Sequence, residues 1–516
     1  MAQEFSATPS GAKTTLQVAV DFVLPDLTQT PGIASVETGA PEELSAVCFD
    51  THDHRLIRNG LTLEHRTGAT DGDWHLRIPL PDSDRNVRWE VRGPIGRGGA
   101  VVPPELLALA RAGLRGRPVE PVAQLVIRRV PYRLIDVRGR PAVELTDDTV
   151  TVEATAAGPA SVGWRELRFA PQGDGKIDVG EMLRAAGARS TPGVSAPARI
   201  LLGEPGPSGA VADDPVPFAA VEDSAAGVVL VHLGALVIRL VAMDPLVRLD
   251  SAGAVRRMRV SVRRLRADLA TFGPLFPARA EIEPLRIELG WLARVLGEAR
   301  DIEVIGARLR TELDRQPAEL IMGPVRDRVD RELSRDYRQA HIAVVQALNS
   351  ARYLALLDGL EKFVGQRPLP PPESRKRVKR QLTRLADQAH KRVLRAIRRV
   401  ESAPAGSDRG LLQHELRKAA KRSRYAAEAV TPVLGRPARR YAKKAATLQR
   451  VLGDHQDVVV LRARLVGLAG RAHLAAENAF SYGYMHALLE PRAHLDQAEV
   501  RTAWLGLIEQ TVYWPG

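Results

Sequence analysis

From Thr14 to about Ala170 the chain alternates apolar and polar residues in short runs, broken by Gly, Pro and Asp. A period of two puts apolar side chains on one face of an extended segment, so the runs predict strands. They cover residues 16–24, 44–49, 61–67, 74–80, 87–91, 125–137, 142–145, 149–154 and 164–169. Short strands at this spacing predict a mostly antiparallel sheet or β-barrel. Residues 103–112 carry a helical pattern, and 181–188 and 196–202 predict helices that complete the unit. Gly, Pro, Asp and Ala crowd residues 203–224, which read as a linker between a first domain at 14–202 and a second at 225–516.

Past Ala225 the period becomes helical. Val255, Met258, Val262, Leu265 and Leu269 fall at offsets 0, 3, 7, 10 and 14, a core-facing stripe. Helical patterns also run over 286–309, 325–348, 351–363, 375–400, 411–430, 438–452 and 458–476. The expected fold class is α+β, a barrel followed by an all-α bundle of two related halves. The stretch 225–243 is apolar enough to raise the question of a membrane span. His232 and Arg239 interrupt it and Gly227 and Gly234 weaken it, so it reads as a buried first helix of the bundle.

A cationic stripe lies beside the apolar one. Arg256, Arg259, Arg263 and Arg266 sit at offsets 0, 3, 7 and 10, and His414, Arg417, Lys421 and Arg424 repeat those offsets 158 residues later. Such spacing places each set on one helical face over a rise of roughly 15 Å. Each stripe is followed by a matching segment, Leu296-Gly297-Glu298-Ala299-Arg300-Asp301 and Leu452-Gly453-Asp454-His455-Gln456-Asp457, 156 residues apart, which reads as a turn. A solvated face accounts for most charge runs, but not for an acid-free stripe that recurs at identical offsets. Two such ladders predict a clamp for a long polyanion.

Charge sharpens this picture. Of a net charge of +13, residues 375–425 hold 17 Lys and Arg against 4 Asp and Glu, so the rest of the chain is close to neutral and the basicity belongs to a site. Within it, Arg375-Lys376-Arg377, Lys379-Arg380 and Lys391-Arg392 either line that site or form an exposed helix face. The single cysteine, Cys48, excludes an intrachain disulfide and fits a reducing cytoplasm. No basic patch followed by an apolar core opens the chain, so a cytoplasmic location is expected, with no membrane partner. His52-Asp53-His54 lacks a second ligand cluster, and Asp301 matches Asp457 without a histidine beside it, so no metal site is expected. Phosphate-cradling Gly-rich loops and Gly-x-Ser-x-Gly elbows are missing too, and no cofactor is expected.

The run from Val255 to Arg266, preceded by Met243-Asp244-Pro245, resembles the opening of the CHAD (conserved histidine α-helical domain) family. So do 296–301, the run His414-Glu415-Leu416-Arg417-Lys418-Ala419-Ala420-Lys421-Arg422-Ser423-Arg424-Tyr425, and 452–457. The resemblance spans about 225–516 and implies two four-helix halves around a basic channel that binds inorganic polyphosphate or a similar polyanion, with polyphosphate granules as an alternative location. The polyphosphate-binding residues it implies are Arg256, Arg259, Arg263, Arg264, Arg266 and Arg300 in the first half, and His414, Arg417, Lys418, Lys421, Arg422, Arg424 and His455 in the second. The first-half family histidine falls on Arg256, a permanent cation in place of a titratable one.

Residues 14–169 resemble the CYTH superfamily of triphosphate tunnel enzymes through 16–24, Phe49-Asp50-Thr51, Leu56-Ile57-Arg58, Thr62-Leu63-Glu64-His65-Arg66 and Trp74-His75-Leu76-Arg77-Ile78-Pro79. The family's Glu-x-Glu-x-Lys strand reads Gln17, Ala19 and Asp21, and the late glutamate strand keeps Glu166 alone, with Arg168 beside it. Both losses fall on metal-holding groups, so the barrel is expected not to be an enzyme. Arg58, Arg66, Arg77, Arg88, Arg128 and Arg129 either face the barrel interior, where they would meet an anion, or point outward. Two further readings stand beside polyphosphate binding. A metal-dependent triphosphate hydrolase is opposed by Gln17, Ala19 and Asp21. A nucleic-acid binder rests on charge alone, with Tyr425 the one aromatic for base stacking on the stripes.

Overall fold

The alternating runs pair into one antiparallel sheet, in a computed structural model that describes residues 10–68, 74–79, 87–93, 101–154, 163–172, 177–189, 224–277, 279–365, 373–404, 409–493 and 497–508. Its strands are β1 (Ser10–Val18), β2 (Ile33–Thr38), β3 (Glu42–Asp50), β4 (Thr62–Thr67), β5 (Trp74–Pro79), β6 (Val87–Gly93), β7 (Glu120–Asp136), β8 (Pro141–Ala154) and β9 (Gly163–Pro171). The order is β2-β7-β3-β4-β5-β6-β1-β9-β8, and β8 pairs again with β7. Eight strands therefore close on themselves, while β2 adds to the second half of β7. This is the expected barrel, with three local corrections. The runs 142–145 and 149–154 are one strand. β2 carries mostly exposed side chains and so lacks the alternation that reveals a strand. β1 stops at Val18, where the Phe22 N–H donates to the Ala19 carbonyl at 3.1 Å, so Ala19 and Asp21 sit exposed in a turn and not on a strand.

Helices α1 (Arg55–Arg58), α2 (Pro104–Leu114) and α3 (Gly180–Ala185) accompany the barrel. The short α1 has a local cause: the Asp50 carboxylate at the end of β3 accepts the Leu56 and Ile57 N–H groups at 2.8 and 2.9 Å. The helix expected at 196–202 and all of the linker expected at 203–224 except Ser224 lie outside the described residues.

The second region is helical throughout: α4 (Ala225–Arg248), α5 (Ala254–Phe272), α6 (Arg279–Asp314), α7 (Val325–Asn349), α8 (Ala351–Val364), α9 (Arg375–Glu401), α10 (Arg409–Ala429), α11 (Thr431–Leu434), α12 (Arg436–Leu474), α13 (Phe480–Leu488), α14 (Glu490–Ala493) and α15 (Gln497–Ile508). Two compact units result. Ile238–Leu249 groups with the barrel residues, and the rest of the described helical residues form the other unit. Helix α4 is long and apolar enough to cross a membrane, with a mean hydropathy of 2.2 over an 18-residue window, yet 72% of that window is buried within the protein.

Residues 296–301 and 452–457 are not turns. They lie inside α6 and α12, and the runs 438–452 and 458–476 are one helix. The apolar period explains why. Leu289, Leu292, Leu296 and Ala299 continue one buried stripe through Gly297, and Leu448, Leu452 and Ala445 do the same around Gly453. Burial of that stripe, worth roughly 1.5–3 kcal/mol per large aliphatic side chain, outweighs the roughly 1 kcal/mol that an interior glycine costs a helix.

Candidate polyanion-binding site

Helix α5 buries Val255, Met258, Val262, Leu265 and Leu269, which leaves the adjacent strip of arginines toward its neighbours' surfaces. Helix α10 buries Leu416, Ala420, Ser423 and Ala427 and turns its own cations the same way. Each ladder's second member then lands on a glycine. A β-carbon on Gly297 would stand 3.3 Å from Arg259 Nη2, and one on Gly453 would stand 3.4 Å from Arg417 Nη2. Gly290 lies against Arg266 in the same manner, 3.3 Å from Cζ. Absence of a side chain lets a flat guanidinium lie against a helix, and this is what the interior glycines do.

These arginines converge. Burial pushes the Arg263 guanidinium below its ordinary value, opposed by Tyr425 and Asp301 and reinforced by Arg259 and Arg417. Ladder members from α5 and α10 thus share one electrostatic neighbourhood. Its acids sit at the border. Arg259 Nη1 donates to Asp301 at 3.1 Å, and Arg308 of α6 bridges to Asp454 and Asp457 of α12 at 3.0 and 2.9 Å. Burial raises the Asp457 carboxyl, against the lowering pull of Arg308 and Arg417.

A second group has less acid. Burial depresses Arg422 of α10, and Arg392, Arg286 and Arg266 depress it further, with Glu415 opposing. Four helices, α5, α6, α9 and α10, bring these guanidinium groups together. Arg286 has Glu283 as a close partner, whereas Arg266, Arg392 and Arg422 have no ion pair among the described residues. Arg286 lies outside both stripes. Its sequence signal is weak, an arginine one helical turn before Gly290. Arg392 was visible as part of a basic pair, but its direction follows from packing. The His390 imidazole bonds the Tyr441 hydroxyl at 2.8 Å, and Ser423 bonds that hydroxyl at 2.5 Å, all buried. This network locks the rotation of α9 against α10 and α12, and so sets where Arg392 and Arg422 point. Burial brings the His390 imidazole down to about 4, so it is neutral and structural.

The other expected residues are placed as follows. Arg264 and Arg424 both reach Glu428, at 2.7 and 2.8 Å, and flank the Tyr425 ring at 5.4 and 5.7 Å. Arg264, reaching from α5 to Glu428 on α10, ties the two ladder helices together. Arg300 pairs with Glu303 and Lys418 with Glu415, both at 2.9 Å. Arg256 and His414 are exposed at the outer ends, and Lys421 is half-buried on the α10 ladder. Burial, then Lys418 and Arg417, lower the His414 imidazole. His455 lies half-buried on α12 beside Asp454. In the barrel unit, Asp53 bonds Arg117 at 2.7 Å, and no group of three or more His, Cys, Asp or Glu could hold a metal among the described residues.

The barrel interior is charged but balanced. Arg66 pairs with Glu64, Arg77 lies between Glu64 and Glu90, Arg129 and Arg168 hold Asp148, and Arg168 also meets Glu166. Burial would raise Asp148, but Arg168, Arg129 and Arg66 hold it below the ordinary carboxylate value. Arg66 is on β4 and Asp148 on β8, strands that are not neighbours, so they face each other across the interior. Of the barrel arginines, Arg58 and Arg128 are exposed, and the Arg88 side chain lies outside the described residues.

A model of the CHAD domain matches residues 232–466. Two proteins from strains of Mycobacterium tuberculosis, both described as uncharacterized, are 34% identical over 485 residues, 90% of this chain and 90% of each relative. Among solved structures, PptA from Streptomyces chartreusis is similar at 23% identity, with a TM-score of 0.42, over 55% of this chain and 98% of that one. The CHAD domain from the plant Ricinus communis is similar at 27% identity, with a TM-score of 0.43, over 54% and 91%.

Proposed function

Because this chain belongs to the family of CHAD-domain proteins, we propose that its helical unit binds inorganic polyphosphate on the face where α5 and α10 converge. The observation that carries the reading is the convergence of Arg266, Arg286, Arg392 and Arg422 from four helices with few acids at hand. Like charges at this range repel, and burial strengthens the repulsion. A polyanion relieves it and adds charge-assisted hydrogen bonds, bidentate where two oxygens of one phosphate meet a guanidinium. Arg259, Arg263 and Arg417 supply a second such group. From Arg259 to Arg266 is seven residues, about 10 Å of helix, so one ligand serving both groups is a chain of several phosphates and not a single one. Gly297 and Gly453 support the same view: guanidinium groups already seated against helices lose little freedom on binding. The recurrence of ladder and glycine in both parts of the bundle reads as two copies of one helix-pair unit.

The barrel, on this reading, performs no phosphoryl transfer. Its carboxylates Glu64, Glu90, Asp148 and Glu166 each already hold a guanidinium, which leaves little to fix the divalent cation such chemistry needs.

Titration of the full chain with long-chain polyphosphate over a salt series tests the proposal. Saturable binding at low salt is expected, weakening with a log–log slope of about 0.7 per phosphate contact, and single-stranded DNA should compete only in large excess. Absence of binding at low salt would overturn it, and DNA that displaces polyphosphate at equal phosphate concentration would transfer the site to nucleic acid.

A further inference from the structure

Where the N-terminal ends of α4 and α9 meet the segment after α5 there is a cavity of about 570 Å³. Its walls are of three kinds. Pro274, Leu275 and Ala226 are apolar. Arg380 and Arg384, one turn apart on the exposed side of α9, make no ion pair among the described residues. Glu373 and Gln381 form a polar corner. There the Glu373 carboxylate accepts from Arg377 Nε at 3.1 Å, from Gln381 Nε2 at 2.8 Å and from the Ala225 N–H at 3.4 Å. A carboxylate accepts about four hydrogen bonds, so one direction remains for a ligand donor.

We propose that this cavity is a second ligand site, separate from the ladders, for a nucleoside di- or triphosphate. Its volume falls in the range of roughly 300–1,000 Å³ that small-molecule and cofactor sites occupy. The three walls match the three parts of such a ligand. Arg380 and Arg384 present two guanidinium forks to its phosphates. The Pro274–Leu275 surface offers an apolar platform for a base. Glu373 takes a sugar hydroxyl or an exocyclic amine. A bare phosphate chain makes no use of the apolar wall or of the free acceptor direction on Glu373, whereas an uncharged apolar ligand makes no use of the arginines. Arg384 and Arg392 are eight residues apart on α9, about 12 Å, so the cavity and the Arg266–Arg422 group are close yet distinct.

The test uses the full chain and the fluorescent ribose-labelled nucleotide mant-ATP. Saturable binding is expected, with unlabelled ATP displacing the probe at least tenfold more effectively than tripolyphosphate. Arg380→Gln with Arg384→Gln should weaken the probe at least tenfold. Both side chains are exposed, and an unchanged melting curve will show that the fold is kept. Three results would overturn the proposal: no binding of mant-ATP, equal displacement by tripolyphosphate and ATP, or an affinity that the paired substitution leaves unchanged. The last would place the nucleotide elsewhere in the protein.

Discussion

Arg259 and Arg417 owe their positions to residues that have no side chain. A guanidinium set on a helix backbone needs the β-carbon removed at the point of approach, and Gly297 and Gly453 remove it. The two ladders are not equal in charge. Arg256 is a permanent cation, while His414, lowered by burial and by Lys418 and Arg417, is mostly neutral near pH 7. The first ladder thus carries four full charges and the second three. Replacement of both glycines by alanine separates site from scaffold. Alanine favours a helix interior by about 1 kcal/mol over glycine, so the melting temperature should hold or rise. Each new methyl displaces its arginine by a few tenths of an ångström, and polyphosphate affinity should fall about threefold to tenfold. A calorimetric melt and a binding titration on the same preparation check both. Lower stability with unchanged affinity would mean that the glycines serve helix packing alone.

At the scale of elements, the ladder helices were legible because two periodicities agree in them. Val255 to Leu269 mark the buried face and Arg256 to Arg266 the cationic one, and α5 and α10 fall within a few residues of where the patterns put them. The glycines of α6 and α12 misled. Glycine after a helical run is a common stop signal, and here the apolar stripe continues through it and overrides the signal. The closed barrel was legible from alternation, yet β2 was not, because its side chains are mostly exposed. The end of β1 was misplaced, because Val20, Phe22 and Leu24 continue the apolar spacing past the turn at Ala19. The candidate site was half visible. Arg259, Arg263, Arg266, Arg417 and Arg422 follow from spacing or from the family run, but Arg286 joins them from α6 and Arg392 from α9 through packing that no local pattern encodes. Conversely, Arg264 and Arg424 share the stripes' chemistry but are occupied by Glu428, an acid four residues beyond the ladder.

Over the whole molecule, the barrel interior pairs its charges and most of the converging arginines of the helical unit do not. Interior arginines of the barrel are matched by Glu64, Glu90, Asp148 and Glu166, so the purified full chain should release no phosphate from tripolyphosphate or ATP with Mg²⁺ or Mn²⁺. Metal-dependent turnover lost on Glu166→Gln would reverse that assignment. In the helical unit the imbalance is the central claim: arginines converge because a bound polyanion, and not the fold, requires them. Groups held together against their own repulsion make a protein less stable without ligand. The most direct measurement therefore compares two variants that lose the same charge, Arg266→Gln with Arg422→Gln against Arg375→Gln with Lys379→Gln, the latter both exposed on α9. For each, the melting temperature without ligand and the polyphosphate affinity near physiological salt are read together. Two charge-assisted contacts at about 1.5–3 kcal/mol each predict a loss of about 100-fold or more for the first pair, with an equal or higher melting temperature. The second pair should change affinity by no more than about threefold, since exposed charges are screened at that salt. Equal losses from the two pairs, or a first pair that melts lower and binds as before, would contradict the account.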